Sequence, residues 1–441
     1  MTFSHEQLQQ SLAALEQQAA KPSRYVIAFS GGLDSTVLAH ALATAGGDVP
    51  LVAVHIDHGL QEDSAQWNRH CEAFATALDI EYRGLRVAVS PDSGKGPEAA
   101  AREARYAALH DELLPGDWLL SAHHREDQAE TLLLNLIRGS GPAGIAGIGA
   151  IRRFGPGWLA RPLLDADQAA LRAYAEDRNL TWVQDPSNAD RRFDRNFLRH
   201  EVLPVLQTRW PDVAARLQRS AAHAGEATGL LADLAQLDLE MLAAEPGRLP
   251  VDGLSGLTRG RQRNLLRFAL REQGLATPGA AQLERILDEV LPARADAQPH
   301  VSWPGASVRR YRNGLYLLPE HLADVPGSVA IGDTGAALGE GLGELRLEKG
   351  AERGLSTQLV EQGLRLEVRR GGEEFRPYGQ GHTRKLKKLL QEEGIVPWMR
   401  NRLPLVYAGE QLVAVGDLWI AADAVSSPGV ALRWSGRPAL H

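Results

Sequence analysis

The chain has 441 residues, of which 44% are hydrophobic and 23% charged, and a formal net charge of −7. Single domains mostly run to roughly 100–200 residues, so about three are expected, and the average composition excludes both disorder and fibrous repeats. The negative balance excludes a protein that coats nucleic acid over its whole surface, and one cysteine excludes an internal disulfide, a Cys-x-x-Cys metal site and an iron–sulfur cluster.

The opening MTFSHEQLQQSLAALEQQ is polar at every third or fourth position, as in an amphipathic helix, and lacks the apolar core of a secretory signal. Apolar runs such as 132–137 are far shorter than a bilayer span, so a cytoplasmic protein is expected. From residue 24 apolar runs alternate with amphipathic stretches: RYVIAFS, STVLAHALA, VPLVAVHIDH, AQWNRHCEAFATALD, DWLLSAHH, TLLLNLIRG. This βαβα rhythm predicts an α/β fold with a doubly wound parallel sheet, whose ligands bind beyond the strand C-terminal ends. Cys71 falls on one of the helices, where a small buried apolar side chain is the simplest reading.

Gly- and Pro-rich stretches in 141–157 read as surface loops. After about residue 200, segments such as DVAARLQRSAAHAGEATGLLADLAQ and LTRGRQRNLLRFALREQ carry apolar residues at helical spacing. From about residue 300, SVRRYRNGLYLLP, GELRLEK and LRLEVRR alternate as short strands between Gly and Pro. The expected division is an α/β domain at 1–204, a mainly helical domain at 205–325 and a small α+β domain at 326–441. No internal repeat or low-complexity tract interrupts it.

Ser30-Gly31-Gly32-Leu33-Asp34-Ser35 lies where the strand YVIAF ends and the helix STVLAHAL begins. A turn that opens a helix presents unpaired backbone N–H groups and the positive end of the dipole, which favour a phosphate, and Gly31 and Gly32 let the backbone come close. Ser30 and Ser35 can donate to phosphate oxygens. Asp34 would repel them unless it caps the helix or holds a divalent cation, which implies Mg²⁺. No Gly-x-x-x-x-Gly-Lys-Ser/Thr occurs, so this is not the P-loop of phosphoryl-transfer ATPases. SGGLDS instead resembles the loop of the PP-loop ATP pyrophosphatases, which cleave ATP between its α- and β-phosphates to adenylate a substrate.

The later motifs choose within that superfamily. His55-Ile56-Asp57-His58-Gly59-Leu60 resembles the HVDHGL of the lysidine synthases, although both histidines equally suit the polar end of a strand. Gly96-Pro97-Glu98 through Arg102, Arg105 and Tyr106 is similar to the family's G-x-E-x-x-A-R-x-x-R-Y. Its guanidiniums can neutralise ATP or tRNA phosphates, or form a solvated salt-bridged face. His123-His124-Arg125-Glu126-Asp127-Gln128-Ala129-Glu130-Thr131 resembles HHxDDQxET, with Glu126 in place of the family's first Asp. At helical spacing Asp127 and Glu130 occupy neighbouring rows and are expected to face the cleft, while Leu132, Leu133, Leu136 and Ile137 are expected in the core. Such carboxylates can hold Mg²⁺ or an ammonium, or simply complement the helix dipole.

Arg138-Gly139-Ser140-Gly141, Arg161-Pro162-Leu163-Leu164, Asp185-Pro186-Ser187-Asn188 and Asp194-Arg195-Asn196-Phe197-Leu198-Arg199 continue the likeness. It resumes at Gly372, Phe375, Arg376, Pro377, Gly379, at Lys385-Leu386-Lys387-Lys388-Leu389-Leu390 and at Val396-Pro397-Trp398-Met399-Arg400. The resemblance implies a PP-loop catalytic domain followed by two tRNA-binding domains. The activity it implies joins L-lysine to C2 of the wobble cytidine in the CAU anticodon of an isoleucine tRNA, through an adenylated cytidine, with release of pyrophosphate and AMP. It assigns ATP to Ser30, Gly31, Gly32, Leu33, Asp34, Ser35 and His55, and Mg²⁺ to Asp34. Catalysis falls to Asp34, Arg102, Asp127 and Glu130, and lysine binding to Asp127 and Glu130. Arg195, Arg199, Arg376, Lys385, Lys387 and Lys388 are assigned to tRNA, and a homodimer is permitted.

Three other activities compete. Cluster-dependent or relay thiolation of tRNA needs several cysteines, and this chain has one. Adenylation of a small metabolite leaves the C-terminal domain without a purpose. A tRNA-binding module without catalysis would not need an intact Ser30, Gly31, Gly32, Asp34 and Ser35.

Overall fold

The computed structural model describes residues 3–59, 64–88, 97–294, 297–339 and 341–441, and of 97–99 the backbone alone. Leu60, Gly96 and the side chain of Glu98, named above, lie outside the described residues. The chain divides into two compact units, 1–230 and 231–441.

The first unit begins with helix α1 (His5–Glu16), capped by Ser4, whose hydroxyl accepts from the Gln7 N–H at 3.3 Å. Strands and helices then alternate as predicted: β1 (Arg24–Ala28), α2 (Leu33–Thr44), β2 (Leu51–Asp57), α3 (Ser64–Ala77), β3 (Glu81–Arg86), α4 (Pro97–Asp111), β4 (Asp117–Leu120) and α5 (Arg125–Ile137). A short helix α6 (Pro142–Ile145), the hairpin β5 (Ile151–Phe154) and β6 (Gly157–Ala160), and α7 (Gln168–Asp177) follow. The stretch 141–157 is thus partly regular structure, because Gly141 and Pro142 open a helix that sequence reading takes for loop.

The sheet order is β3-β2-β1-β4-β6-β5, parallel except for the edge strand β5. Residues of β1 alternate between two apolar cores: Tyr25 and Ile27 pack with Val37, Leu38 and Leu120, while Val26 packs with Val52, Leu109 and Leu119. Both faces are covered, which is why the central strands β1, β2 and β4 are mostly apolar. The chain runs outward from β1 through β2 and β3, then returns to place β4 on the other side of β1. That reversal opens a crevice beyond the ends of β1 and β4.

Helix α5 departs from expectation at its end. Leu132 is buried and Leu133 packs beside Ala129, Leu203 and Ala214, but Leu136 and Ile137 are 47% and 75% exposed, because the last turn overhangs its packing partners. Downstream lie α8 (Asp194–Phe197), a π-helical turn at Leu198–Val202, α9 (Leu203–Arg209) and the long α10 (Val213–Met241), which contains the boundary between the units.

In the second unit, β7 (Arg248–Pro250), α11 (Val251–Gly256), α12 (Arg259–Glu272), α13 (Ala280–Arg285), β8 (His300–Trp303), β9 (Ala306–Tyr311) and β10 (Gly314–Leu318) share one core. The region is mainly helical as expected, and its helices pack on a small antiparallel sheet, β7-β10-β9-β8, in which β7 pairs with a strand more than 60 residues later. The remaining chain forms two antiparallel five-stranded sheets, with a hairpin at Glu374–Phe375 and Arg384–Lys385 leading into α14 (Leu386–Glu392). No helix of the described residues is long and apolar enough to cross a membrane.

Candidate active site

The loop after β1 is shaped from below. Gly31 has φ +77°, and a Cβ there would lie 2.6 Å from the Cys71 sulfur, so only glycine fits. Its carbonyl accepts from the Val183 N–H at 2.8 Å and from the Thr36 hydroxyl at 3.3 Å. His55 is buried, and its Nδ1 donates to the Phe29 carbonyl at 3.0 Å, so the ring supports the loop from beneath. Burial pushes the Cys71 thiol up to about 12, in keeping with a packing role.

Above this floor, the Ser30 and Ser35 hydroxyls lie 3.0 Å apart, and Ser30 Oγ accepts from the Gly32 N–H at 3.3 Å. Gly32 caps α2 with no side-chain hydrogen bond, leaving the first N–H groups of the helix free to meet an anion.

Across the crevice, the segment after β4 brings its own charges. His124 is buried, with Nδ1 2.9 Å from Glu126 and Nε2 3.6 Å from Asp34 and 3.4 Å from Asp127. Burial opposes a charge on this imidazole. The Glu126 hydrogen bond and the charges of Asp127 and Asp34 outweigh it and raise the ring from 6.5 to about 8. Glu126 also accepts from the Gln168 N–H at 3.0 Å, so the residue that replaces the family's Asp ties His124 to the start of α7.

Asp127 and Glu130 are neighbours, as helical spacing predicts, but they do not stand open to the cleft. Glu130 is fully buried, held by Arg195 Nε at 2.7 Å and Arg199 Nε at 2.6 Å. Asp127 accepts from the His124 N–H at 2.9 Å with one oxygen, and from Arg195 and Arg199 at 2.8 and 3.0 Å with the other. Asp127 therefore caps the start of α5 and pairs with both arginines at once. Desolvation is the reason for the pairing, since a buried carboxylate needs a cation. Arg195 and Arg199 were expected to meet tRNA, yet about seven-tenths of each side chain is covered as it clamps these carboxylates.

Four carboxylates (Asp34, Glu126, Asp127, Glu130) face two guanidiniums and one imidazolium, leaving one net negative charge. Asp34 is the least satisfied. Its Oδ1 is buried and has no hydrogen-bond partner among the described residues, and burial raises its carboxyl above the ordinary range against the pull of His124. An orphaned oxygen beside a phosphate-accepting helix N-terminus is chemically suited to a divalent cation. The described residues hold no ready-made cluster of three or more metal-ligating side chains, so a nucleotide would have to complete the coordination.

Arg102 is exposed on α4, its guanidinium 5.0 Å from the Tyr106 ring. Sequence reading left His124 and Arg161 without roles although it quoted both motifs, because neither spacing nor residue type reveals which ring bridges two loops.

In the second unit, Arg369, Arg370 and Arg384 pair with Glu373, Glu367 and Glu392. Arg376, Lys385, Lys387 and Lys388 are exposed and make no ion pair among the described residues. The three lysines, with His382, Arg384 and Gln391, line a depression of about 500 Å³.

Comparison with known proteins agrees with this layout. A PP-loop domain model matches residues 4–206, a TilS substrate binding domain model 249–316, and a TilS substrate C-terminal domain model 364–434. The tRNA(Ile)-lysidine synthase of Alkalilimnicola ehrlichii is 45% identical over 98% of this chain and 96% of its own. Those of Methylococcus capsulatus and Coxiella burnetii are 41% and 42% identical, over 94% and 89% of this chain and 96% and 88% of theirs. The chain belongs to the tRNA(Ile)-lysidine synthase family.

Proposed function

We propose that the protein ligates L-lysine to C2 of the wobble cytidine in the CAU anticodon of an isoleucine tRNA, in the cytoplasm, consuming ATP. The observation that carries this reading is the meeting of two motifs at the sheet's crevice, Asp34 of the first within 3.6 Å of His124 of the second. In this reading the cytidine O2 attacks the α-phosphate of ATP, the bond to the β-phosphate breaks, and pyrophosphate leaves. The lysine ε-amine then attacks C2 and AMP departs with the oxygen.

The loop from Ser30 to Ser35 receives the pyrophosphate portion through free N–H groups and hydroxyls. Asp34 would hold Mg²⁺, which when bound neutralises phosphate charge. Asp127, with Glu130 buried behind it and both fixed by Arg195 and Arg199, draws the lysine ammonium, and the outer edges of the two arginines remain for RNA. Arg102 faces the reacting phosphate or the tRNA backbone. Positioning and charge neutralisation suffice, without a covalent protein nucleophile. We divide the chain into a catalytic domain at 1–204 and tRNA-binding domains at 205–325 and 326–441. In the last of these, Arg376, Lys385, Lys387 and Lys388 grip phosphates.

Radiolabelled lysine incorporation into isoleucine tRNA, with and without ATP, tests the reading. Pyrophosphate release should require the tRNA, and AMP release should require lysine as well. Equal ATP turnover without tRNA would sink it.

A further inference from the structure

A second cluster, of opposite sign, lies beside the acidic pocket. Arg102 and Arg105 of α4 approach the Tyr106 ring at 5.0 and 5.8 Å, and Arg161, just after β6, lies against the Tyr106 hydroxyl. Among the described residues, the charged groups that act most strongly on Arg105 and Arg161 are other arginines, and burial disfavours both charges further. Arg161 is only 6% exposed. It donates to the Gly149 carbonyl, yet its Nε is buried with no partner among the described residues. Buried like charges of this kind need an anion to complete them.

Three anions take part in the proposed reaction. The ATP phosphates already have the loop after β1. RNA phosphates are met by exposed cations, whereas Arg161 is deep. The third is the α-carboxylate of free lysine, which sits at the opposite end of a four-carbon chain from the ε-ammonium. The charges of Asp127, Arg161, Arg195 and Arg102 all act on His123, and burial holds this ring neutral at about 3. A carboxylate pair and a guanidinium cluster that both act on one neutral imidazole match the two ends of an amino acid.

We propose that Arg161, flanked by Arg102 and Arg105, binds the α-carboxylate of the lysine substrate and thereby selects an amino acid over a plain diamine. The inference rests on the lysine-ligation reading above. A site built around a buried donor rejects analogues that leave it unpaired, so lysine should be told from cadaverine, which has the same chain and amines without the carboxylate.

The test compares kcat/KM for lysine, lysinamide and cadaverine with isoleucine tRNA and ATP. The wild-type enzyme should prefer lysine to either analogue by about 100-fold, the worth of charge-assisted hydrogen bonds of about 1.5–3 kcal/mol. Arg161→Gln should lower kcat/KM for lysine by about 10- to 100-fold, mainly through KM, while leaving cadaverine within about twofold and the ATP KM unchanged. Arg161→Lys, keeping charge without the planar fork, should fall between. Parallel loss for lysine and cadaverine, or a raised ATP KM, would assign Arg161 to phosphate or to folding and overturn the proposal. A wild-type enzyme that accepts cadaverine as readily as lysine would overturn it without any variant. Absence of lysine incorporation by the wild type would instead remove the underlying reaction.

Discussion

Glu130→Gln is the most informative single substitution. The side chain has no exposed surface, and its oxygens accept from Arg195 Nε at 2.7 Å and from Arg199 Nε and Nη2 at 2.6 and 3.0 Å. The amide keeps the shape, but its NH₂ group must face an N–H donor, so at least one charge-assisted bond becomes a donor–donor contact. Breaking a buried ion pair costs about 3–5 kcal/mol and a hydrogen bond to a charged group about 1.5–3. Because Asp127 still pairs with both arginines, and each arginine keeps part of its side chain in water, the loss should fall near the lower figure. For a unit of 230 residues, each kcal/mol moves the midpoint by about 2–4 °C, so calorimetry should show Tm lower by about 3–12 °C. Steady-state assays well below both midpoints should then show the lysine KM raised at least about tenfold, with the ATP KM within about twofold. A Tm unchanged within about 1 °C would refute the energetic argument. Equal increases in both KM values would refute the assignment of Glu130 to lysine.

Asp34→Ala should abolish pyrophosphate release while leaving tRNA affinity within about threefold by filter binding, and because the cost of burying Asp34 outweighs its attraction to His124 it should not lower Tm; normal adenylation would remove Asp34 from the mechanism. His124 is raised from 6.5 to about 8 in the folded state, so its stabilisation is complete below 6.5 and is lost as pH climbs to about 8. That interval corresponds to about 2 kcal/mol. The difference in unfolding free energy between the ligand-free wild type and His124→Gln should therefore shrink by about that amount between pH 6 and 9, and a difference independent of pH would contradict the imidazolium. Changing Lys385, Lys387 and Lys388 together to Ala should weaken tRNA binding and reduce the slope of log affinity against log salt by roughly 0.7–0.9 per lost contact. A slope that does not move would show these lysines to be only a solvated face.

The parallel sheet was legible because β1, β2 and β4 are apolar at nearly every position, a pattern that only a doubly covered sheet requires. The phosphate-accepting loop was legible because Gly31 and Gly32 sit between strand and helix. What spacing could not reveal was partnership at long range. Nothing in DRNFLR says that its two arginines close over a carboxylate pair more than 60 residues earlier, and so the exposure of Asp127 and Glu130 was misjudged. The pairing of β7 with β10 escaped for the same reason, since a three-residue strand carries too little pattern to stand out among helices. Leu136 and Ile137 show the converse error: apolar periodicity names a face but not where its cover ends.

The floor of the nucleotide loop has a practical consequence. Cys71 is the chain's only thiol, it is fully buried against Gly31, and it is held protonated far above neutral pH. A maleimide reacts with accessible thiolate, so the native protein should be silent to such reagents. A cysteine introduced at an exposed position, Lys387 for instance, would then be the one labelled site. A dye or photocrosslinker could be carried there without first removing Cys71, leaving the packing beneath the loop undisturbed.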